Sequence, residues 1–445
     1  MFEWLEMSAA DLGRRIGEGA IDPVALTQAF LGAIDSHDYR DRIFARVTHE
    51  RAIMEAEAAA ERARADMRLS ALDGVPISWK DLFDTAGTKT EAGSALLRDR
   101  IPNKDARVLR HATALGLVCL GKTHMSELAF SGLGLNPVTA TPPCINDLRA
   151  VPGGSSSGAA ASVAFGLAAC GIGSDTGGSV RIPSAWNDLV GLKTTAGRIS
   201  NDGVVPLCRS FDTVGPLCRT VEDAALMFGV LEGRRAPNLF GSNLKGARLA
   251  VLETAALQDV REAPMAGFEN ALIKLSAAGA HIEMIKAPEV TSALDLSGVL
   301  FTGEAYGEWC EEIEAEPDLM FDQILERFRV GASFSAPDYV AGWKLLNKFR
   351  DRWNKRVAGF DAVLLPTSPI LPPDAERLVS DQDYYVTENL LALRNTRIGN
   401  LLGGCSISLP TDVPSCGLMA LAPPMSEARV LRFGAAAEAA LGERA

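Results

Sequence analysis

Residues 153–184, GGSSSGAAASVAFGLAACGIGSDTGGSVRIPS, constrain this chain more than any other stretch. Two glycine-serine turns are joined there by one predicted helix (about 156–168) and one predicted strand (169–173). The first turn is Gly153-Gly154-Ser155-Ser156-Ser157-Gly158 and the second is Ser174-Asp175-Thr176-Gly177-Gly178-Ser179. Glycine has no Cβ, so the backbone N–H groups of such turns are open to close approach. Facing each other, the two turns have the parts for a nucleophile, a proton shuttle and an anion hole. The structural reading is N-capping, since serine caps helices and glycine permits a tight entry. That accounts for one turn more easily than for two so close together.

The flanking pattern is that of an α/β protein. Apolar strands are expected at 74–81, 116–122, 189–193, 247–252, 281–285, 361–365, 405–409 and 416–421. Helices are expected at 9–18, 23–34, 49–68, 223–231, 262–279 and after Ser426, with 300–358 mostly helical. Ser8 reads as an N-cap and Pro23 as a first helical residue. Strands alternating with helices imply a mixed sheet covered by helices. The polar stretch 232–246 is the best candidate for an internal boundary.

With 445 residues, 47% of them hydrophobic and 22% charged, the chain is long enough for a large core. Its net charge of −12 argues against nucleic acid or an anionic membrane as the main partner. The N-terminal MFEWLEMSAADLGRRIGEG lacks the apolar core of an export signal. The most apolar stretch, 159–173, is too short to span a bilayer. Eight scattered cysteines contain no C-x-x-C pair and read as buried free thiols in a reducing cytosol, so a cytoplasmic location is expected.

Familiar motifs fit poorly. Residues 154–158 match G-x-S-x-G, the nucleophile elbow with Ser156 as nucleophile, but that arrangement needs a downstream acid and histidine. Of the five histidines only His281 lies downstream of it, at the start of a predicted strand. No Lys-Ser/Thr follows the glycines, so there is no phosphate-binding loop, and there is no H-E-x-x-H. With histidine scarce, a serine hydrolase needs another base. A desolvated lysine can serve, and Lys80, Lys122 and Lys193 each end an apolar strand. Spacing does not choose among them.

A resemblance does. Segment 153–184 is similar to the signature of the amidase signature family, serine hydrolases with a Ser–cis-Ser–Lys triad. Residues 74–81, GVPISWKD, resemble the family's G-x-P-x-x-x-K-D. Residues 191–200, GLKTTAGRIS, resemble G-L-K-P-T-x-G-R-x-S, and 212–216, DTVGP, match D-T-x-G-P. A weaker match spans 401–410. The resemblance implies one α/β domain over 1–445 around a large, twisted mixed sheet with helices on both faces. The catalytic core would be 60–232, with 233–400 elaborating the pocket and 232–246 only a loop.

Carried over, the resemblance implies Ser179 as nucleophile, Ser155 as bridging serine after a cis peptide bond, and Lys80 as base. Backbone N–H groups of Thr176, Gly177, Gly178 and Ser179 would form the oxyanion hole, braced by an Asp175–Arg181 ion pair. Asp81, next to Lys80, should point to the opposite face of its strand. Ala129 and Phe130 are placed near the acyl pocket, with parts of 300–345 and 370–400 as its walls. The small Ala129 would leave room for a bulky acyl group. The sequence departs from the family at 144–147, at Ser157 and at Thr194, none of them in the triad.

The implied activity is hydrolysis of a small carboxamide, without metal or organic cofactor. The implied partners are a small-molecule amide, no nucleic acid and no membrane, and a homodimer stays open. Two alternatives stand beside it. One is the glutaminase subunit of a tRNA-dependent amidotransferase, and the other is a silent binding protein on the same fold.

Overall fold

Eleven strands, taken in chain order, build a single mixed sheet: β1 (Phe44–Val47), β2 (Pro76–Lys80), β3 (Val118–Thr123), β4 (Cys170–Asp175), β5 (Val190–Lys193), β6 (Thr213–Cys218), β7 (Arg248–Leu252), β8 (His281–Ile285), β9 (Ala362–Pro366), β10 (Cys405–Pro410) and β11 (Gly417–Ala422). Their spatial order is β1-β3-β2-β4-β6-β5-β10-β11-β9-β7-β8. The computed structural model describes residues 2–442. The α/β architecture with a large mixed sheet is the one the sequence pattern implies.

Every residue of β2, β3, β4, β5, β6, β9 and β11 is buried. Side chains alternate between the two faces of a strand, so complete burial means that both faces are covered. Helices provide the cover: Ser157–Ala164 packs on β4 and β2, and Glu427–Leu441 on β10 and β11. The edge strands β1 and β8 keep exposed or half-buried residues, as unpaired edges tolerate polar side chains.

Local chemistry starts the helices where expected. Ser8 Oγ accepts the Asp11 N–H at 3.0 Å, and the Asp22 carboxylate accepts from Val24 and Ala25 ahead of Pro23–Ser36. Two strands escape the sequence pattern. β1 has only four residues. β6 contains Pro216, and proline normally demotes a strand. In the sheet β6 lies between β4 and β5, and β5 pairs with it only at Val190↔Cys218 and Gly191↔Leu217. That pairing stops at Pro216, whose ring carries no N–H to give. The stretch 232–246 leads from the helix Val221–Glu232 into β7, a strand of the same sheet.

All eight cysteines are free, seven of them buried, with Cys310 partly exposed. No helix among the described residues is long and apolar enough to cross a membrane.

The topology matters most at the middle of the sheet. β2 and β4 run parallel, with Trp79 beside Ile172. Their carboxyl ends, Lys80 and Ser174-Asp175, therefore emerge side by side, at the edge of an α/β sheet where ligands ordinarily bind.

Candidate active site

Lys80 is wholly buried, and its Nζ donates to Ser155 Oγ at 2.6 Å and to Ser174 Oγ at 2.8 Å. Burial pushes its ammonium down to about 7, against the opposing pull of the Asp175 and Asp212 carboxylates. The peptide bond Gly154–Ser155 is cis. The two turns touch through the Ser156 N–H, which donates to the Ser179 carbonyl at 3.2 Å. Among the described residues Ser179 Oγ makes no hydrogen bond, and Ser179 lines a small pocket. Two larger surface depressions, both lined by Asp84, Arg100, Asp202 and Gly203, contain none of these residues.

The other two lysines are engaged elsewhere. Lys122 Nζ bonds Thr90 Oγ1 at 2.9 Å and pairs with Asp81 at 3.2 Å. Lys193, pushed by burial down to about 8, donates to the carbonyls of Thr194 and Gly404. Neither touches a serine of the two turns. Ser156, the elbow candidate, is pinned: its Oγ donates to the Ser174 carbonyl at 3.2 Å and accepts the Ser174 N–H at 3.3 Å. His281 stands exposed on the edge strand β8.

The second turn is held by a buried ion pair. Arg181 Nη2 lies 2.8 Å from Asp175 Oδ1, and both side chains are fully inaccessible. Burial alone would raise the Asp175 carboxyl, but the Arg181 guanidinium overrides it and holds the group well below the usual carboxylate range. The Gly178 N–H donates to Asp175 Oδ1 at 2.8 Å and the Val180 N–H to Oδ2 at 3.1 Å.

This corrects one expectation. The Gly178 amide, assigned to the oxyanion hole, is already committed to a carboxylate. The Thr176, Gly177 and Ser179 N–H groups have no acceptor among the described residues. Gly178 is needed for another reason. Its φ is +140°, and a Cβ there would lie 2.1 Å from Thr396 Oγ1.

Several residues with no role in the sequence reading converge on the same turn. Thr396 Oγ1 donates to the Gly177 carbonyl at 2.7 Å. Arg181 donates to the Thr396 carbonyl and to Asn400 Oδ1, and Asn400 Nδ2 donates to Asp175 Oδ1 at 3.0 Å. Leu393, Thr396, Arg397 and Asn400 follow the three-and-four spacing of one helix face, on Gln382–Leu401. That spacing was the available signal, although it does not say what the face packs against. Thr176 Oγ1 donates to Asp212 Oδ1 at 2.5 Å, and the Leu207 and Cys208 amides donate to Asp212 Oδ2. Burial pushes the Asp212 carboxyl up, against these bonds.

Ala129 and Phe130 line the Ser179 cavity, with Ser131, Leu207, Phe301, Arg327, Leu393 and Arg397. Phe130 packs edge-on against Phe328 and lies under the Arg327 guanidinium. Among the described residues no cluster of three His, Cys, Asp or Glu side chains is arranged to hold a metal ion.

With this geometry in place, a sequence profile described as Amidase matches residues 25–431. The chain is 33% identical over 386 positions to the 2-amino-5-chloromuconic acid deaminase of Comamonas testosteroni, covering 84% of this chain and 83% of that one. It is 32% identical over 469 aligned positions to the A-subunit of glutamyl-tRNA(Gln) amidotransferase from Marinobacter nauticus, covering 95% and 96%. A crystal structure described as an amidase superposes with a TM-score of 0.88 at 28% identity, covering 98% of this chain and all of the other.

Proposed function

The chain belongs to the amidase family, and from that premise we propose that it hydrolyses a small carboxamide to an acid and ammonia or an amine through a seryl acyl-enzyme. Amidohydrolase action on a C–N bond comes with the family. The finer reading rests on one observation: a fully buried lysine, its ammonium pushed by burial down to about 7, bonded to a serine of the first turn.

In this mechanism Ser179 Oγ turns toward Ser155 and attacks the amide carbon. Its proton passes to Ser155 Oγ, whose own proton passes to neutral Lys80 Nζ. The carbonyl π pair moves onto oxygen, and the oxyanion is met by the free amides of Thr176, Gly177 and Ser179. The Asp175–Arg181 pair keeps those donors fixed beforehand. Ser155 then returns a proton to the nitrogen as the C–N bond breaks, and Lys80 resupplies Ser155. A water molecule deprotonated by the same relay attacks the ester and frees the acid.

A second reading, the glutaminase subunit of a tRNA-dependent amidotransferase, is favoured by the likeness to such subunits over nearly the whole chain. One experiment separates the two. The purified chain alone is offered a panel of simple amides and esters, with ammonia and acid scored. Ammonia from simple amides supports the stand-alone enzyme. Ammonia from glutamine only after partner subunits are added supports the second reading.

A further inference from the structure

The cavity in front of Ser179 carries two positive charges that the protein itself leaves unpaired. Arg327 comes from the helix Asp322–Arg329 and Arg397 from Gln382–Leu401, and both line the cavity beside Ser179 and Gly177. None of the lining residues is acidic. Among the described residues neither guanidinium has an ion pair or a hydrogen bond. Arg327 Nη1 is buried without a partner, and its guanidinium carbon sits 4.5 Å from the centroid of Phe130.

Other arginines set into the fold are engaged by acceptors. Arg181 has Asp175 and Asn400, Arg62 has Asp73, and Arg219 donates to five backbone carbonyls. Two guanidiniums close enough to repel, in a partly desolvated pocket, are unfavourable unless an anion comes to share them. Burial pushes Arg327 down to about 10, and burial with the neighbouring Arg327 pushes Arg397 down to about 9, so both remain charged at neutral pH. Phe130, Leu207, Phe301 and Leu393 form the apolar part of the wall, with Ser131 and Thr176 adding hydroxyls.

We propose that the substrate carries an anionic group, a carboxylate, on the acyl side of its scissile amide, and that Arg327 and Arg397 clasp it. The substrate class is then the monoamide of a small dicarboxylic acid, and the product is the dicarboxylate plus ammonia. The planar forks of the two guanidiniums suit a carboxylate, and the apolar part of the wall suits a short carbon chain. This proposal rests on the reading of Ser179 as an amidohydrolase nucleophile.

The test compares glutaramate with its neutral counterpart valeramide on the full chain. The expected preference in kcat/KM for glutaramate is about 100-fold, and Arg397→Gln and Arg327→Gln should each shrink that ratio by about tenfold or more. Arg397→Lys should restore part of it. Thermal unfolding of each variant verifies that it is folded. In parallel, calorimetry measures glutarate binding to Ser179→Ala, with and without Arg397→Gln, and needs no turnover. Arginine-dependent glutarate binding without hydrolysis of any amide would sink the hydrolase reading and the scissile amide with it, while leaving the carboxylate clasp by the two arginines standing. Equal use of valeramide and glutaramate, with a ratio indifferent to both arginines, overturns this proposal and leaves the hydrolase reading intact. A preference for 4-phosphonobutanamide over glutaramate overturns the carboxylate assignment.

Discussion

The Asp81 carboxylate lies 3.2 Å from Lys122 Nζ, on the far side of the strand from its own neighbour Lys80. Arg46 holds the same carboxylate at 3.2 Å. The one acid that the sequence sets beside Lys80 is thereby occupied, and among the described residues Lys80 has no ion-pair partner. Had Asp81 faced Lys80, Coulomb attraction would have kept the lysine charged and useless as a base.

The first prediction concerns pH. The base must be neutral, so log kcat/KM should rise with pH and level off above about 7. Stability carries the same signature. The folded value lies below the unfolded one, near 10.4, so between them the unfolded chain binds the extra proton. The penalty on the folded state is full below pH 7 and is relieved as pH rises. Lys80→Met should remove this slope. Urea midpoints at pH 7 and pH 9, compared with wild type, measure it, and an identical slope in the variant contradicts the assignment.

The two turns should respond unequally to alanine. Ser179→Ala should abolish labelling by a fluorophosphonate and lower kcat by about 10³-fold or more, and Ser155→Ala should lower kcat by about 10²–10⁴-fold. Ser156→Ala removes only a tether to Ser174 and should act mainly on stability. Intact-mass analysis after labelling and single-turnover kinetics check the three. A Ser156 variant alone losing the label would restore the elbow reading.

Asp175→Asn should be severely destabilising. It leaves the fully buried Arg181 guanidinium without its counter-charge, a change that typically costs about 3–5 kcal/mol. It also disturbs the acceptor of the Gly178 and Val180 amides. Equilibrium denaturation gives the number, and a loss below 1 kcal/mol would mean that the pair does not brace the loop.

Neighbouring glycines should differ. Gly178→Ala puts a Cβ against Thr396 Oγ1 at a φ of +140°, so it should cost at least about 1–3 kcal/mol in backbone strain, with the clash added. At Gly177 a Cβ meets only Arg397 Cγ at 3.6 Å and Leu393 Cδ2 at 3.7 Å, ordinary contacts. Gly177→Ala should therefore fold normally and change KM, because the new methyl enters the cavity. Paired melting curves and Michaelis plots test both.

Much of the scaffold could be read in advance because its signals are local. The Pro at the start of Pro23–Ser36, the Ser8 cap and the apolar runs at β2, β3 and β4 act within a turn or a strand. β6 was not legible, because a strand containing Gly215-Pro216 is acceptable only where its neighbour's pairing ends, a fact about β5. In the site, Lys80, Lys122 and Lys193 look alike in sequence, and all three are buried at strand ends. They differ in what they meet: a serine, a carboxylate or two carbonyls. The same holds for Gly178, whose amide was assigned to an anion but is bound to Asp175.

By itself the sequence determined the turn chemistry, the alternation of strands and helices, and a motif set specific enough to point to Lys80, Ser155 and Ser179. The first two depend on residue type and spacing along the chain, and the choice of Lys80 on the resemblance of the motifs. Only the tertiary structure decided which donors are free, which acid is occupied, and that Arg327 and Arg397 line one pocket with Ser179 and have no counter-charge there. Charge pairing, desolvation and hydrogen-bond satisfaction depend on distances across the fold, and helices far apart in the chain bring those groups together.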